Sequence, residues 1–599
     1  MRRYLLVLTG WLLFLPLAHP AEPDWITRSN RNAQILLEIN ARYNPESASS
    51  LGIEGHDAEV LDLKPRFLQR EEDDLKAAIG KLEGLRADET DARVKQDLDI
   101  LIAAARQEVR TSELNRKYLL TFFDVPQAMF RGFQNLIDPR VPQERQRLAV
   151  ARLHRYVGAE KGFTALTVLA QQRYNEDAAD PKLLGPWIVE AQQYLDNQDR
   201  YLDGIEQLLK GGGLKGWQKD MQTLRRQVDD YGKWIRQTVL PRARQTNQLP
   251  EELYANNLRA YGVDMDPHEL MDRALANFGQ TRSEMETVAR TVAAANRWEY
   301  QGYRDVIRRL KQQRIPDDKL LDFYYHRLAS IEDIVRREHI VTLPTRKAVI
   351  RLGTEAESAA VPAPHLDPPR LIGNTGEPAE FVLPTANPNA KPGAEMDDFN
   401  YDAVAWTLTA HEARPGHELQ FAAMLENGVS TARIVYAFNS ANVEGWALYA
   451  EALMKQYLPP EGQLGALQMR LMREARAFLD PMLNLGLMTP DDAQRFLMDD
   501  VVLSEPMAKQ EVDRYTFDSP GQATAYYYGY LKLDALRTRV ELILRDKFRE
   551  QPYHDFLVGQ GLLPFDLLEK AVMEEFVPSQ KQEASEEMEV TTKSTRNTK

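Results

Sequence analysis

His411-Glu412-Ala413-Arg414-Pro415-Gly416-His417 sets two of the chain's 10 histidines around a Glu and a Pro-Gly pair. A neutral imidazole is a borderline metal ligand, and a Glu next to one can take a proton from an activated water. The usual helical zinc motif puts its histidines at i and i+4, where this chain has Pro415. His417 falls at i+6, about 240° round an ideal helix from His411, so a straight helix points the two rings apart. Proline removes an amide donor and clashes with the preceding turn, while glycine accepts dihedrals that other residues avoid. A bulged or broken turn is therefore expected, one that returns His417 to the side of His411.

Downstream, Glu444-Gly445-Trp446-Ala447-Leu448-Tyr449-Ala450-Glu451 favours helix except at Gly445. Glu444 is the candidate third ligand. Glu451, seven residues on, lies near the same helical face and can either orient a ligand or simply meet solvent. Gly445 weakens the helix but permits close approach of a neighbouring element. Trp446, Leu448 and Tyr449 read as core. A lone buried histidine is more often structural than metal-bound; the combination of His411, Glu412, the Pro-Gly break, His417 and Glu444 shifts the reading to metal.

A second Pro-Gly pair lies in Ser519-Pro520-Gly521-Gln522-Ala523-Thr524-Ala525-Tyr526-Tyr527-Tyr528. A tyrosine hydroxyl can donate to an oxygen that gains negative charge when water attacks a carbonyl, and Tyr526 is the candidate. Consecutive tyrosines point in different helical directions, so at least one packs. Arg514 and Arg537 can each hold a substrate carboxylate, or equally form ordinary ion pairs.

Residues 23–339 have a helical pattern with few turn clusters. Asp266, Pro267 and Glu269 make one helix start, followed by Leu270, Ala274, Leu275 and Phe278 on an expected core face. Residues 340–343 and 349–352 have the composition of short strands, and 361–393 reads as loop or irregular wall bordering the site. Helix resumes near Tyr401. The polar segment 579–599 reads as a disordered tail.

Residues 1–21 combine Arg2 and Arg3 with an apolar run, the layout of a secretory signal, which leaves no stable membrane span once removed. An uncleaved anchor is the alternative. The formal net charge of -14 gives no case for nucleic acid. With no cysteine in the sequence, disulfides, thiolate ligands and a thiol-linked lipid have no donor, so a metal must use His, Asp or Glu.

The motifs at 411–417 and 444–451, with Glu511-Val512-Asp513-Arg514-Tyr515 and the Pro520-to-Tyr526 segment, in this order, resemble the bacterial domain-of-unknown-function 885 family. Its helical exported or lipid-attached members are related to zinc peptidases. The resemblance covers residues from about 30 to 575. It implies a mainly α, large helical zinc-peptidase-like fold with a minor β or irregular segment and a central cleft, residues 22–578 forming one metallohydrolase-like domain. It also implies zinc on His411, His417 and Glu444, with Glu412 as the catalytic Glu and Tyr526 matching the tyrosine of the PGQ segment. The expected function is an exported, periplasmic or envelope zinc-dependent hydrolase, a peptidase acting on peptide or other carbonyl substrates. The alternatives are a non-catalytic metal-containing envelope binding protein and an esterase or other carbonyl hydrolase. Where many relatives carry histidine, this chain has Glu418 and Met488.

Overall fold

The computed structural model describes residues 23–354, 357–358, 361, 363–384 and 396–582, and helices carry nearly all of that architecture. The expected signal segment lies outside the described residues, as does the expected tail from residue 583 onward; residues 577–582 continue the last helical path. Helices Asp24–Tyr43, Phe67–Asp88 and Ala92–Tyr118 pack through Leu36, Leu75, Leu82, Leu98 and Leu101. Asp97 on the third of these accepts from Ser430 Oγ at 2.6 Å and Arg433 Nε at 2.8 Å, tying this bundle to the C-terminal half.

The helix Pro267–Ala295 starts as its sequence requires: Asp266 accepts from the amides of His268 at 2.9 Å and Glu269 at 3.3 Å, ahead of Pro267. Leu270, Ala274 and Phe278 are buried. Leu275 is 43% exposed and departs from the expected core face, because it lies about 140° round the helix from Leu270. The buried face runs along the helix Pro460–Asn484, where Phe278 meets Phe478 edge-on at 5.5 Å.

Pro460–Asn484 is buried along most of its length, including the charged Arg473, Glu474, Arg476 and Asp480. Buried charge is costly unless paired, so this helix brings an obligation to find partners into the centre of the molecule. Beside it, Ser440–Lys455 crosses Ala525–Leu544 at backbone contact. A methyl at Gly445 would lie 2.6 Å from Gly529 Cα, and one at Gly529 would overlap the Ala441 carbonyl oxygen. The close approach expected of Gly445 is thus made to a second glycine.

Three short strands form an open sheet in the order β1-β3-β2. β1, Val349–Leu352, runs parallel to β3, Glu380–Leu383, and β2, His365–Asp367, antiparallel to it. The strand expected at 349–352 is present. Residues 340–343 are not a strand: side chains satisfy this backbone, His554 Nδ1 bonding the Ile340 carbonyl at 2.7 Å and Asp555 accepting from Thr342 N at 2.7 Å. β2 and β3 occupy part of the stretch expected to be irregular, and β2 lies against residues 409–413. Among the described residues no helix is long and apolar enough to cross a membrane.

Candidate metal centre

The helix Asp402–Leu408 continues into a wider turn of the i to i+5 type over Thr409–Ala413, a form often found at functional sites. Arg414 is then extended at φ -125° and ψ 136°, and its bond to Pro415 is cis. The chain re-enters helix at His417–Asn427, where the Gly416 carbonyl accepts the Gln420 amide at 3.0 Å. Any side chain on Gly416 would overlap the carbonyl oxygens of His411 and Ala410. Its need for glycine is one of space.

Two side chains lock the break. Trp446 Nε1 donates to the carbonyls of Pro415 at 3.0 Å and Gly416 at 3.3 Å. Arg414 bonds Glu418 at 2.6 Å, Glu332 at 2.8 Å and the Arg346 carbonyl at 2.6 Å. Glu418 is fully buried in that pair and anchors the turn.

The two rings consequently meet, with centroids 4.8 Å apart and planes at 83°. Glu444 Oε2 lies 3.2 Å from His417 Nε2 and 3.6 Å from His411 Nε2. One ligand atom from each of the three residues falls within 4.8 Å of the others. Glu444 Oε2 is buried without a hydrogen-bond partner, and so is His417 Nδ1. A buried carboxylate oxygen facing two imidazole nitrogens, otherwise unsatisfied, fits a cation better than it fits a closed protein network.

His411 has the outer support that metal-bound histidines use. Its Nδ1 lies 2.7 Å from Glu451 Oε1, and Glu451 also accepts from Thr407 Oγ1 and stands 3.4 Å from Arg473. A hydrogen bond donated from Nδ1 to Glu451 fixes the ring with Nε2 towards Glu444, where the neutral imidazole would offer its lone pair to a metal. Burial depresses the pKa of His411, but Glu444, Glu451 and the charge of Glu412 more than reverse this and raise it to about 9. Burial likewise pushes Glu444 up, and the two imidazoles win, holding it well below the ordinary carboxylate range. Imidazole and carboxylate thus each favour the charged form of the other.

Glu412 Oε1 stands 4.0 Å from His411 Nε2. The Tyr526 ring lies parallel to that of His411, centroids 6.1 Å apart at 13°. The structure thus gathers all five residues picked from the sequence. Arg537 is elsewhere, paired with Glu541 at 2.7 Å and Glu550 at 2.8 Å, which is the ordinary ion-pair role. Arg514 reaches the Tyr526 hydroxyl at 3.0 Å. Arg473 and Arg476 enter the surroundings of the site unannounced, although charges at 473, 476 and 480 repeat on one helical face of an apolar run.

A mainly helical fold with a small open sheet and a buried His-His-Glu cluster defines a protein with a candidate metal centre. The chain belongs to the family described as "Bacterial protein of unknown function (DUF885)", which matches residues 45–572. No curated protein matches it. Two solved structures share the fold. One, titled a "putative lipoprotein", is from Colwellia psychrerythraea, with TM-score 0.73, 18% identity, 92% of this chain and 100% of that chain covered. The other, a "putative lipoprotein of unknown function" from Shewanella oneidensis, has TM-score 0.71, 18% identity and the same coverages of 92% and 100%.

Proposed function

We propose that this chain is an envelope protein that binds one zinc ion through His411, His417 and Glu444 and uses it to hydrolyse peptide or other amide bonds. The convergence of the three ligand atoms, with Glu444 Oε2 left unbonded, supports the metal site of this reading, and the hydrolytic step is inferred from Glu412 and Tyr526 standing beside it. Two imidazoles and one carboxylate suit zinc and leave a fourth position open. When bound, zinc in such a site supplies Lewis-acid polarisation of a carbonyl and acidifies water. Glu412 takes the proton of the attacking water and passes it to the leaving amine. Tyr526 donates to the carbonyl oxygen as its negative charge grows. The envelope assignment rests on the basic and apolar N-terminal segment and on the description of each of the two solved relatives as a "putative lipoprotein".

A second reading, a non-catalytic metal-containing binding protein of the envelope, is favoured by how closed the centre is. His411, His417, Glu412 and Tyr526 are exposed by 2%, 6%, 8% and 8%.

The readings separate in a screen of zinc-loaded chain against short peptides, blocked peptides, amides and esters, run beside Glu412→Gln. The hydrolase account expects turnover that falls by roughly 10²- to 10⁴-fold in the variant with zinc retained. No turnover by the wild type leaves the binding protein; undiminished turnover by the variant removes Glu412 from the base role. Product masses distinguish amide from ester cleavage.

A further inference from the structure

Tyr526 is held from several sides. His411 lies along one ring face, and the guanidinium of Arg476 is 4.5 Å from the ring centroid and that of Arg473 5.7 Å. Each of these arginines has a carboxylate to answer it. Arg476 makes two bonds of 2.7 Å to Glu511, which also accepts from Tyr515 at 2.6 Å. Arg473 stands beside Glu451 at 3.4 Å.

Arg514 differs. Its nearest carboxylate oxygen, on Glu511, is 3.6 Å away and already serves Arg476. Its hydrogen bonds go to Gln522 Oε1 and, at 3.0 Å, to the Tyr526 hydroxyl oxygen. A guanidinium without a carboxylate of its own thus delivers its charge to a phenol. The orientation of the phenol follows: a hydroxyl has one proton, and an oxygen that accepts from Arg514 must point that proton elsewhere. Among the described residues no acceptor takes it.

We propose that Arg514 is a positioning residue for Tyr526, occupying a lone pair of the phenol oxygen so that the hydroxyl proton is aimed at a ligand oxygen and strengthened as a donor. This rests on the hydrolase reading of the same centre. The ordinary alternative, direct capture of a ligand carboxylate by Arg514, uses the same guanidinium but does not pass through Tyr526.

The test uses the full zinc-loaded chain with 3-fluorotyrosine at position 526, followed by fluorine NMR, in Arg514→Met and Arg514→Lys backgrounds. Removing a cation at hydrogen-bond distance should move the titration of this phenol upward by roughly one pH unit or more, with Arg514→Lys restoring most of the shift. With peptides, Arg514→Met should lower kcat by roughly 10- to 100-fold with KM little changed, equally for free-carboxyl and amidated forms. It should add almost nothing in a Tyr526→Phe background. An unmoved fluorine titration overturns the proposal, as does a defect confined to free-carboxyl peptides or one that persists in full without the Tyr526 hydroxyl. A shifted titration in a chain whose wild type cleaves no peptide upholds the Arg514–Tyr526 positioning and defeats the hydrolase reading instead.

Discussion

His554 and the pair His411 and His417 are buried to nearly the same degree, yet their surroundings do opposite things. His554 spends both nitrogens on neutral protein partners, the Ile340 carbonyl at 2.7 Å and the Tyr449 hydroxyl at 2.9 Å. Burial then dominates and lowers its pKa to about 3, so it stays uncharged. His411 faces three carboxylates and is raised to about 9, while His417 turns its Nε2 to Glu444 Oε2 at 3.2 Å. Burial alone does not mark a ligand. What marks a candidate is a set of carboxylates gathered around imidazole nitrogens that face one another.

The largest test of that contrast exchanges the outcomes of two substitutions. His417→Ala should abolish stoichiometric zinc, and in the metal-free chain it should also cost stability, because the ring is buried and faces Glu444 at 3.2 Å. His554→Ala should keep zinc and lower unfolding stability by about 3 kcal/mol, since it opens a cavity and strands two polar groups. Metal analysis and urea unfolding of both variants check it; zinc lost from His554→Ala and kept by His417→Ala would reverse the assignment. A smaller effect is expected at the outer support of His411. Glu451→Gln should weaken zinc binding by about 10- to 100-fold, as for other carboxylates behind a metal histidine, measured by competition with a chromophoric chelator. Unchanged affinity would make Glu451 a packing partner only.

The effect smallest per step of the titration concerns a buried group that, like His554, burial pushes toward its uncharged form. Glu474 accepts only from Thr281, at 2.9 Å, and its other oxygen is unbonded. Burial raises its pKa from 4.5 to about 7. The folded state therefore binds the proton more tightly than the unfolded chain. Its stabilising contribution is present below about pH 4.5 and lost as pH rises through about 7. Between those values wild-type stability should carry a falling component on the order of 1 kcal/mol per pH unit, which Glu474→Gln removes. Identical pH slopes in urea titrations of the two chains would place a charge at Glu474.

The two Pro-Gly pairs show how much was legible in the sequence. At 415–416 the break between two histidines was readable because i+6 spacing is useless on a straight helix, and the structure supplies the wide turn and the backbone crowding at Gly416. At 520–521 the same dipeptide works by a different route. Gly521 takes φ +96°, the left-handed region that favours glycine, and its amide is held by Asp480 at 2.9 Å. Sequence marked the turn there but not its anchor, which comes from a helix 41 residues away. Helical periodicity likewise marks the long elements, whereas β2 and β3 carry no such mark. Strands of three and four residues paired across intervening loops leave little local pattern. Arg473 and Arg476 carry no local signal of their place, because it depends on Glu451, Glu511 and Tyr526, brought together only by the packed helices.

The most direct measurement is anomalous diffraction at the zinc edge from crystals of the full chain grown with zinc present, paired with elemental analysis of the same preparation. One zinc equivalent is expected, with an anomalous peak bonded to His411 Nε2, His417 Nε2 and a Glu444 carboxylate oxygen at about 2.0–2.2 Å. Crystals with the two rings as close as they are here but no anomalous density between them and Glu444, from protein exposed to excess zinc, would contradict the metal centre.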